Sequence, residues 1–338
     1  MMTFRFGLAL LLAALPGAAI ANDTMAVLGA GGLTFLTNDK VEMTSEDLSI
    51  STEQVRVAYE FTNTSDQDQH VLVAFPMPDI SGSGDFIVDV PTMAPDNIFG
   101  FKTTFDGEPV DAVLHQYAFA VGIDQSDYLR GLGIPLTPYG EETINKLNAL
   151  ADADKQELQF RGLVIPMEYD AGEGWQTDMI PVWTLKSTYS WEATFKAGKT
   201  AEVVHTYKPS VGGTVAVTFL SEPYGDYDPA AEYKKKYCTD DSFVSAVKKT
   251  LADAKDPYSA PFTETWLSYI WSTGNNWSGP IKNFRLTVDK GSKDNLVSFC
   301  GENVRKAGPT TFEMTATDFF PPYDHELDVL ILTRNAAQ

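Results

Sequence analysis

Alternation of apolar and polar residues with a period of two constrains this chain more than any other feature. It is clearest from Gln54 to Ile80, QVRVAYEFTNTSDQDQHVLVAFPMPDI. Val55, Val57, Tyr59 and Phe61 share one face and Arg56, Glu60 and Thr62 the other, the pattern of a half-buried strand. Asn63 to Gln69 carries Asn, Ser and Asp side chains that bond their own backbone and favour a turn. Val71, Val73 and Phe75 then resume the alternation until Pro76 and Pro78, which have no N–H to give a ladder, end it. The reading is a β-hairpin.

The start of the chain follows a different logic. Met1 to Ala21 carries one charge, Arg5, then an apolar run from Phe6 to Leu15, a helix-breaking Pro16-Gly17 and the ending Ala19-Ile20-Ala21. This is the layout of a secretory signal peptide, and cleavage after Ala21 leaves Asn22 first. The apolar run falls short of the roughly 20 residues a spanning helix needs, and no later segment reaches that length. The expected mature chain is exported, without membrane insertion after signal cleavage, and has 317 residues, 338 less 21.

That length suggests about two domains. Loss of Arg5 leaves 24 basic residues against 46 acidic ones, a net charge of −22. Such a surface repels phosphate backbones and anionic headgroups, so nucleic acid is not an expected partner. The only cysteines are Cys238 and Cys300. In an oxidising compartment two such residues pair, closing a loop that contributes about 4 kcal/mol in the chain-entropy model. Neither has His or Cys neighbours at ligand spacing, so a structural disulfide is expected and no metal site.

Along the chain, Leu33 and Phe35 with Val41 and Met43 suggest a second hairpin about Asn38-Asp39, and Asp106-Gly107 is a strong turn signal between strands. Tyr189, Trp191, Ala193 and Phe195 alternate into a turn at Lys196 to Lys199, and Ala201, Val203, His205 and Tyr207 alternate back. From Asp124 to Arg161 the period becomes helical. Tyr128, Leu129 and Leu132 form a short piece ending at Gly133 and Pro135. Thr137-Pro138 offers a cap and first-turn proline for a second helix, striped by Ile144, Leu147, Leu150 and Ala151.

Tyr224 to Pro229, rich in Gly, Pro and Asp, is the candidate boundary. Ala230 to Tyr237 reads as helix, and Thr239 or Asp240 caps another in which Phe243, Val247 and Leu251 share a face. Four strands follow, marked by Phe284 to Val288, Leu296 to Cys300, Phe312 to Ala316 and Leu327 to Leu332. The expected fold is mainly β (α+β). A signal peptide, 1–21, precedes an antiparallel β-sandwich over 22–222 with a helical insertion about 124–161. An α+β part over 223–338 then adds a helix pair and an antiparallel meander.

With these residues in view, the chain resembles the bacterial exported family called domain of unknown function 4424. The resemblance rests on NDTMAVLGAGGL after the signal peptide, SEDLSIS, VRVAYEFTNTSDQD, VAFPMPDI, HTYKPSVGG and WSGPIKNFRLTVDKG. It covers nearly the whole mature chain and is weakest in the middle helical region. It implies an exported, periplasmic protein of a Gram-negative bacterium, and it implies no activity or catalytic residue.

Motifs of known chemistry are incomplete. Gly29, Gly31 and Gly32 are misplaced for a nucleotide loop, and Gly198-Lys199-Thr200 lacks the earlier glycine of a phosphate loop, because Ala193 stands there. Ser245 and Lys248 have serine-lysine enzyme spacing without the partner motifs. His70, His115, His205 and His325 are scattered, and His205, flanked on its face by Val203 and Tyr207, is the one placed to line a pocket. Asp226 with Asp228, and Asp152 with Asp154, fit no calcium loop. Trp266, Tyr269, Trp271 and Trp277 crowd into twelve residues, which suits either a stacking platform for a glycan or peptide or the core between the two parts.

The functional expectation is a periplasmic or secreted, non-catalytic binding or assembly module. It holds an envelope protein or glycan through sheet edges or through Trp266, Tyr269, Trp271, Trp277 and His205, without a cofactor. The rival is an envelope glycan or peptidoglycan hydrolase built on carboxylates such as Glu264.

Overall fold

The computed structural model describes residues 22–29, 32–83, 87–91, 94, 96–170, 172, 174–251 and 261–335. The leader expected over 1–21, together with Gly31, Phe86 and the break at Pro257, lies outside them. Among the described residues strand outweighs helix, 47% against 16%, so the fold is mainly β.

Two large sheets face each other. The first runs, in spatial order, Ile123–Asp124, Val113–Ala120, Thr184–Phe195, Gln69–Pro76, Thr24–Gly29, Gly32–Leu36, with Ile80–Ser81 also on Thr184–Phe195. The second runs Arg305–Lys306, Thr311–Phe319, Ile281–Asp289, Val41–Ile50, Val55–Asn63, Thr200–Tyr207, Lys102–Phe105, Glu108–Val110. Their inward faces make the main core. Val55, Val57, Tyr59 and Phe61 are buried there, as the alternation requires, and meet Val71, Val73 and Phe75 of the opposite sheet.

Those last two groups correct the hairpin reading. Val55–Asn63 and Gln69–Pro76 both form, and the turn is held as expected, Asn63 Nδ2 donating to Gln67 O at 2.8 Å. The strands nevertheless belong to different sheets. The chain crosses the sandwich there, as it does between Thr184–Phe195 and Thr200–Tyr207 and between Gly32–Leu36 and Val41–Ile50. The first two crossings lie side by side, Phe195 pairing with Gln69 and Thr200 with Thr62. Alternation dictates which face of a strand is buried and says nothing about which neighbour completes its ladder. Asp106-Gly107 is a true hairpin turn. Its φ angles of 50° and 82° are the left-handed pair that a two-residue connection demands.

A third sheet orders Leu296–Phe299, Leu327–Arg334, Phe262–Tyr269, Val211–Thr214 and Ile87–Asp89. One face, with Leu267, Tyr269, Val329 and Ile331, joins the main core. The other, with Phe262, Leu330 and Leu332, packs under helices Pro229–Tyr237 and Asp241–Thr250 through Tyr237 and Val247. Asp228 and Asp240 cap these helices, each accepting from backbone N–H groups of the first turn.

The boundary expected at 222–223 does not separate two units. Ile281–Asp289 pairs in parallel with Val41–Ile50, and Val211–Thr214 lies beside Phe262–Tyr269, so two sheets take strands from both sides of it. The Gly, Pro and Asp of 224–229 mark a loop, and a loop inside a unit has the same composition as a linker. The C-terminal strands likewise divide between sheets: Ile281–Asp289 pairs with Thr311–Phe319, while Leu296–Phe299 pairs with Leu327–Arg334.

Helices Ser126–Gly131, Glu141–Asn148 and Asp152–Phe160 cover one end of the first sheet, where Leu129, Leu147 and Leu158 bury against Ala118 and Trp183. Each such leucine contributes about 2 kcal/mol. Thr137 does not cap the second helix: Gly140 holds that position, and Thr137 O accepts from Thr143 Oγ1 at 2.9 Å. A two-stranded ribbon, Val164–Asp170 with Trp175–Pro181, follows.

Candidate functional site

The aromatic residues singled out by the sequence do not form a surface platform. Tyr269, Trp271 and Trp277 are buried in the main core, and Trp266 is half-buried on the helix-covered face. Trp266 lies over Gly212, where an added Cβ would stand 2.0 Å from the indole nitrogen, so only glycine fits. Trp277 packs on Phe61 with ring centroids 4.6 Å apart, and Trp271 meets Phe319 edge-on at 5.7 Å. Tyr269 ends its strand on the core face, and Trp271 and Trp277 flank the short helical turn Ser272–Asn276 that follows, so these three rings fill the main core.

His205 also faces inward. Its strand alternates as expected, but the sheet is covered there, and the imidazole is fully buried among Phe75, Phe101 and Trp191 at 4.9 to 5.1 Å. Nε2 lies 3.1 Å from both carboxylate oxygens of Asp23. Around this pair the core is polar. Tyr59 and Tyr269 join hydroxyls at 2.9 Å, Tyr269 donates to Glu46 Oε1 at 3.2 Å, and Asn22 Nδ2 donates to Glu46 Oε2 at 3.0 Å. Burial pushes the Glu46 carboxyl up to about 7 and raises Asp23 as well, against the opposing pull of His205. Asp23 and Glu46 have almost no exposed surface, so a ligand from solvent cannot reach them.

Glu264, the carboxylate of the hydrolase reading, is an internal brace. It accepts from Tyr233 Oη at 2.7 Å, Thr218 Oγ1 at 2.9 Å and the Thr218 and Phe219 amides. Burial raises its pKa, but it is spent on tying helix Pro229–Tyr237 to the third sheet.

The open concave site is lined by other residues of the same helix. A cleft of about 470 Å³ is lined by Glu232, Lys235 and Lys236 of the helix, by Asp79 and Ser268, and by Asp324, His325, Glu326 and Asp328. Lys236 Nζ stands 3.7 Å from Asp328 Oδ1, whose carboxylate also accepts from Ser268 Oγ. Glu326 accepts from the amides of Trp271 at 2.9 Å and Ser272 at 3.2 Å and from Ser272 Oγ at 2.6 Å. Burial raises the pKa of both Glu326 and Asp328, whereas the His325 ring, 2.9 Å from Asp324, lowers that of Asp324. The cleft thus sets acceptors already held by hydrogen bonds beside Lys235 and beside Lys236, which is itself paired with Asp328. Phe320 and Tyr323, in the loop leading into it, are exposed. A larger groove, of about 580 Å³, runs over the parallel strand junction, but its Arg285 is already paired with Glu313.

Cys238 and Cys300 are bonded, as expected, and this ties the end of helix Pro229–Tyr237, one wall of the cleft, to the third sheet. Among the described residues no cluster of three or more His, Cys, Asp or Glu is arranged to hold a metal ion.

The sequence pattern described as "Domain of unknown function (DUF4424)" matches residues 21–330. The chain belongs to that family. No curated protein matches this DUF4424 chain. Among solved structures it is similar to a "putative nutrient binding protein" from Legionella pneumophila, at 12% identity, 93% of this chain and 71% of that one, with a TM-score of 0.43. It is also similar to a zinc metallopeptidase from Deinococcus radiodurans, at 9% identity, 87% of this chain and 43% of that one, with a TM-score of 0.26. At these scores neither likeness bears on function.

Sequence reasoning missed Lys235, Lys236, Glu326 and Asp328 in this DUF4424 chain. The signal was present as Tyr323-Asp-His-Glu-Leu-Asp328, a cluster of ionisable residues running into an apolar strand, where some of the charges must be half-buried.

Proposed function

We propose that this protein is an exported binding module of the cell envelope and that the cleft between helix Pro229–Tyr237 and residues 324–328 holds its ligand. The observation that carries this reading is the placing of Lys235 and Lys236 beside carboxylates already held by Ser268, Ser272 and backbone amides. Such a surface recognises without reorganising, and it complements a ligand bearing both amino and carboxylate groups. Envelope glycans with peptide stems, and segments of envelope proteins, have this chemistry. Exposed Tyr323 and Phe320 add faces for sugar or peptide stacking.

Export is supported by the leader-like residues 1–21, by the Cys238–Cys300 bond and by the absence, among the described residues, of a helix long and apolar enough to cross a membrane. The leader-like residues and the disulfide support a periplasmic or secreted location.

Calorimetric titration with soluble cell-wall fragments tests the site. Binding is expected for the native protein and lost in Lys236→Met; heats equal for both variants would remove the cleft from the account. The hydrolase reading draws support from one feature, two carboxylates of raised pKa in one cleft. Turnover of the same fragments, abolished by Asp328→Asn, would put it in place of the binding reading.

A further inference from the structure

Residues Asn22, Asp23 and Thr24, the first three after the expected cleavage point, have no exposed surface. The Asn22 amide donates to Thr273 Oγ1, and the same hydroxyl donates to Asn22 O at 2.6 Å. Asn22 Nδ2 reaches Glu46, and its Oδ1 accepts from the Asp23 amide at 3.1 Å. Trp277 Nε1 closes the chamber by donating to Asp23 O. Gly274 leaves the room this needs, since a Cβ there would stand 2.8 Å from Asn22 Nδ2.

This chamber is short of positive charge. It encloses two carboxylates, Asp23 and Glu46, and among the described residues neither is paired with Lys or Arg. The groups facing Glu46 are Asp23 and Asn22 from the N-terminal segment, Tyr59 from Val55–Asn63 and Tyr269 from Phe262–Tyr269. His205 and Tyr207 stand beyond them on Thr200–Tyr207. His205 is engaged with Asp23, so no group in this set supplies a cation to Glu46.

We propose that cleavage after Ala21 creates the missing cation: the α-ammonium group of Asn22, buried beside Glu46 as its counter-charge. This rests on the export reading above. Water adds across the Ala21–Asn22 amide, catalysed by the peptidase of the export machinery; Ala21 leaves with a carboxylate, and Asn22 keeps an amine that takes up a proton near neutral pH. A bond at a residue without exposed surface is closed to a peptidase, so processing precedes folding. Burial of the new terminus then makes the cut chain, and not its precursor, the stable one. Burial of Glu46 beside an uncharged amide raises its pKa, which is the penalty that the ammonium group removes.

The experiment compares chains that begin at Asn22 with a free or an acetylated α-amine, with Glu46 or with Glu46→Gln, by thermal midpoint across about pH 5 to 8. With Glu46 present, the acetylated chain is expected to lose more midpoint than the free-amine chain as pH rises towards about 7. Glu46→Gln is expected to abolish the difference. Midpoints that coincide across the range with Glu46 present would overturn the proposal. Should the Gln variant fail to fold, acylation of the α-amine decides: it is expected to run about tenfold slower in the folded native chain than in urea, one unit of pKa in effect, and equal rates would overturn the proposal. N-terminal sequencing of protein recovered from exporting cells tests the export reading by itself. A terminus other than Asn22 removes the processing step from the cell, while the midpoints still decide whether an amine at Asn22 pairs with Glu46.

Discussion

Two places in the molecule hold carboxylates whose pKa burial has raised, and they differ in everything else. Around Asp23 and Glu46 the groups are sealed inside the main core, bonded to Asn22, His205 and Tyr269. Around Glu326 and Asp328 they stand at the edge of an open cleft with Lys235 and Lys236 beside them. A raised pKa alone therefore does not mark a ligand site, because desolvation produces it in both. Access to solvent and the presence of lysine ammonium groups tell the two apart.

Substitutions are expected to separate the regions by what they cost. In the sealed region, Trp277→Ala removes a buried indole that packs on Phe61 and bonds Asp23 O, and about 3 to 5 kcal/mol of stability should go with it in urea unfolding. Ligand binding by the fraction that stays folded should be unchanged.

Cys238→Ser with Cys300→Ser links the two regions, since the bridge closes a loop of 62 residues and anchors a wall of the cleft. A loss of about 2 to 4 kcal/mol is expected, with weaker binding before global unfolding. Unchanged affinity would show that the wall holds without the bond.

His205→Leu leaves the Asp23 carboxylate without its imidazole, and a cost of about 2 kcal/mol or more should appear as a lower urea midpoint. In the open region, Asp328→Asn should change stability by less than about 1 kcal/mol, while binding falls. A stability loss as large as that of Trp277→Ala would make Asp328 a structural brace and erase the contrast.

The smallest expected effect is on pH dependence. Asp328 and Glu326 bind their protons more tightly folded than unfolded, so their contribution to stability is greatest below the unfolded carboxylate range. It is lost as pH rises through their folded values. Asp328→Asn should flatten that slope in a series of thermal midpoints, and an unchanged slope would assign it to other groups.

The sequence disclosed strands better than partners. Val55 to Phe61 and Ala201 to Tyr207 were legible because burial of one strand face imposes a period of two. Their neighbours were not, since a short turn serves a hairpin and a crossing between sheets equally well. The parallel pairing of Ser45 with Asn283 joins residues too far apart for any local signal. Asp240 was legible as a cap because its side chain acts within one turn. His205 was placed correctly on its face and wrongly at a pocket, because the cover over that face comes from Gln69–Pro76 and Thr184–Phe195 of the opposite sheet. The cleft draws Lys236, Ser268 and Asp328 from three elements, so only the assembled fold brings them together.

The most direct test of the ligand site is to follow backbone amide resonances of the chain from Asn22 to Gln338 as soluble cell-wall fragments carrying peptide stems are added. The account predicts saturable shifts confined to residues 232–236, 268–272 and 320–328, abolished by Lys236→Met. Shifts centred on the ribbon Val164–Asp170 with Trp175–Pro181, or on the groove at Arg285, with none at Asp328, would contradict it.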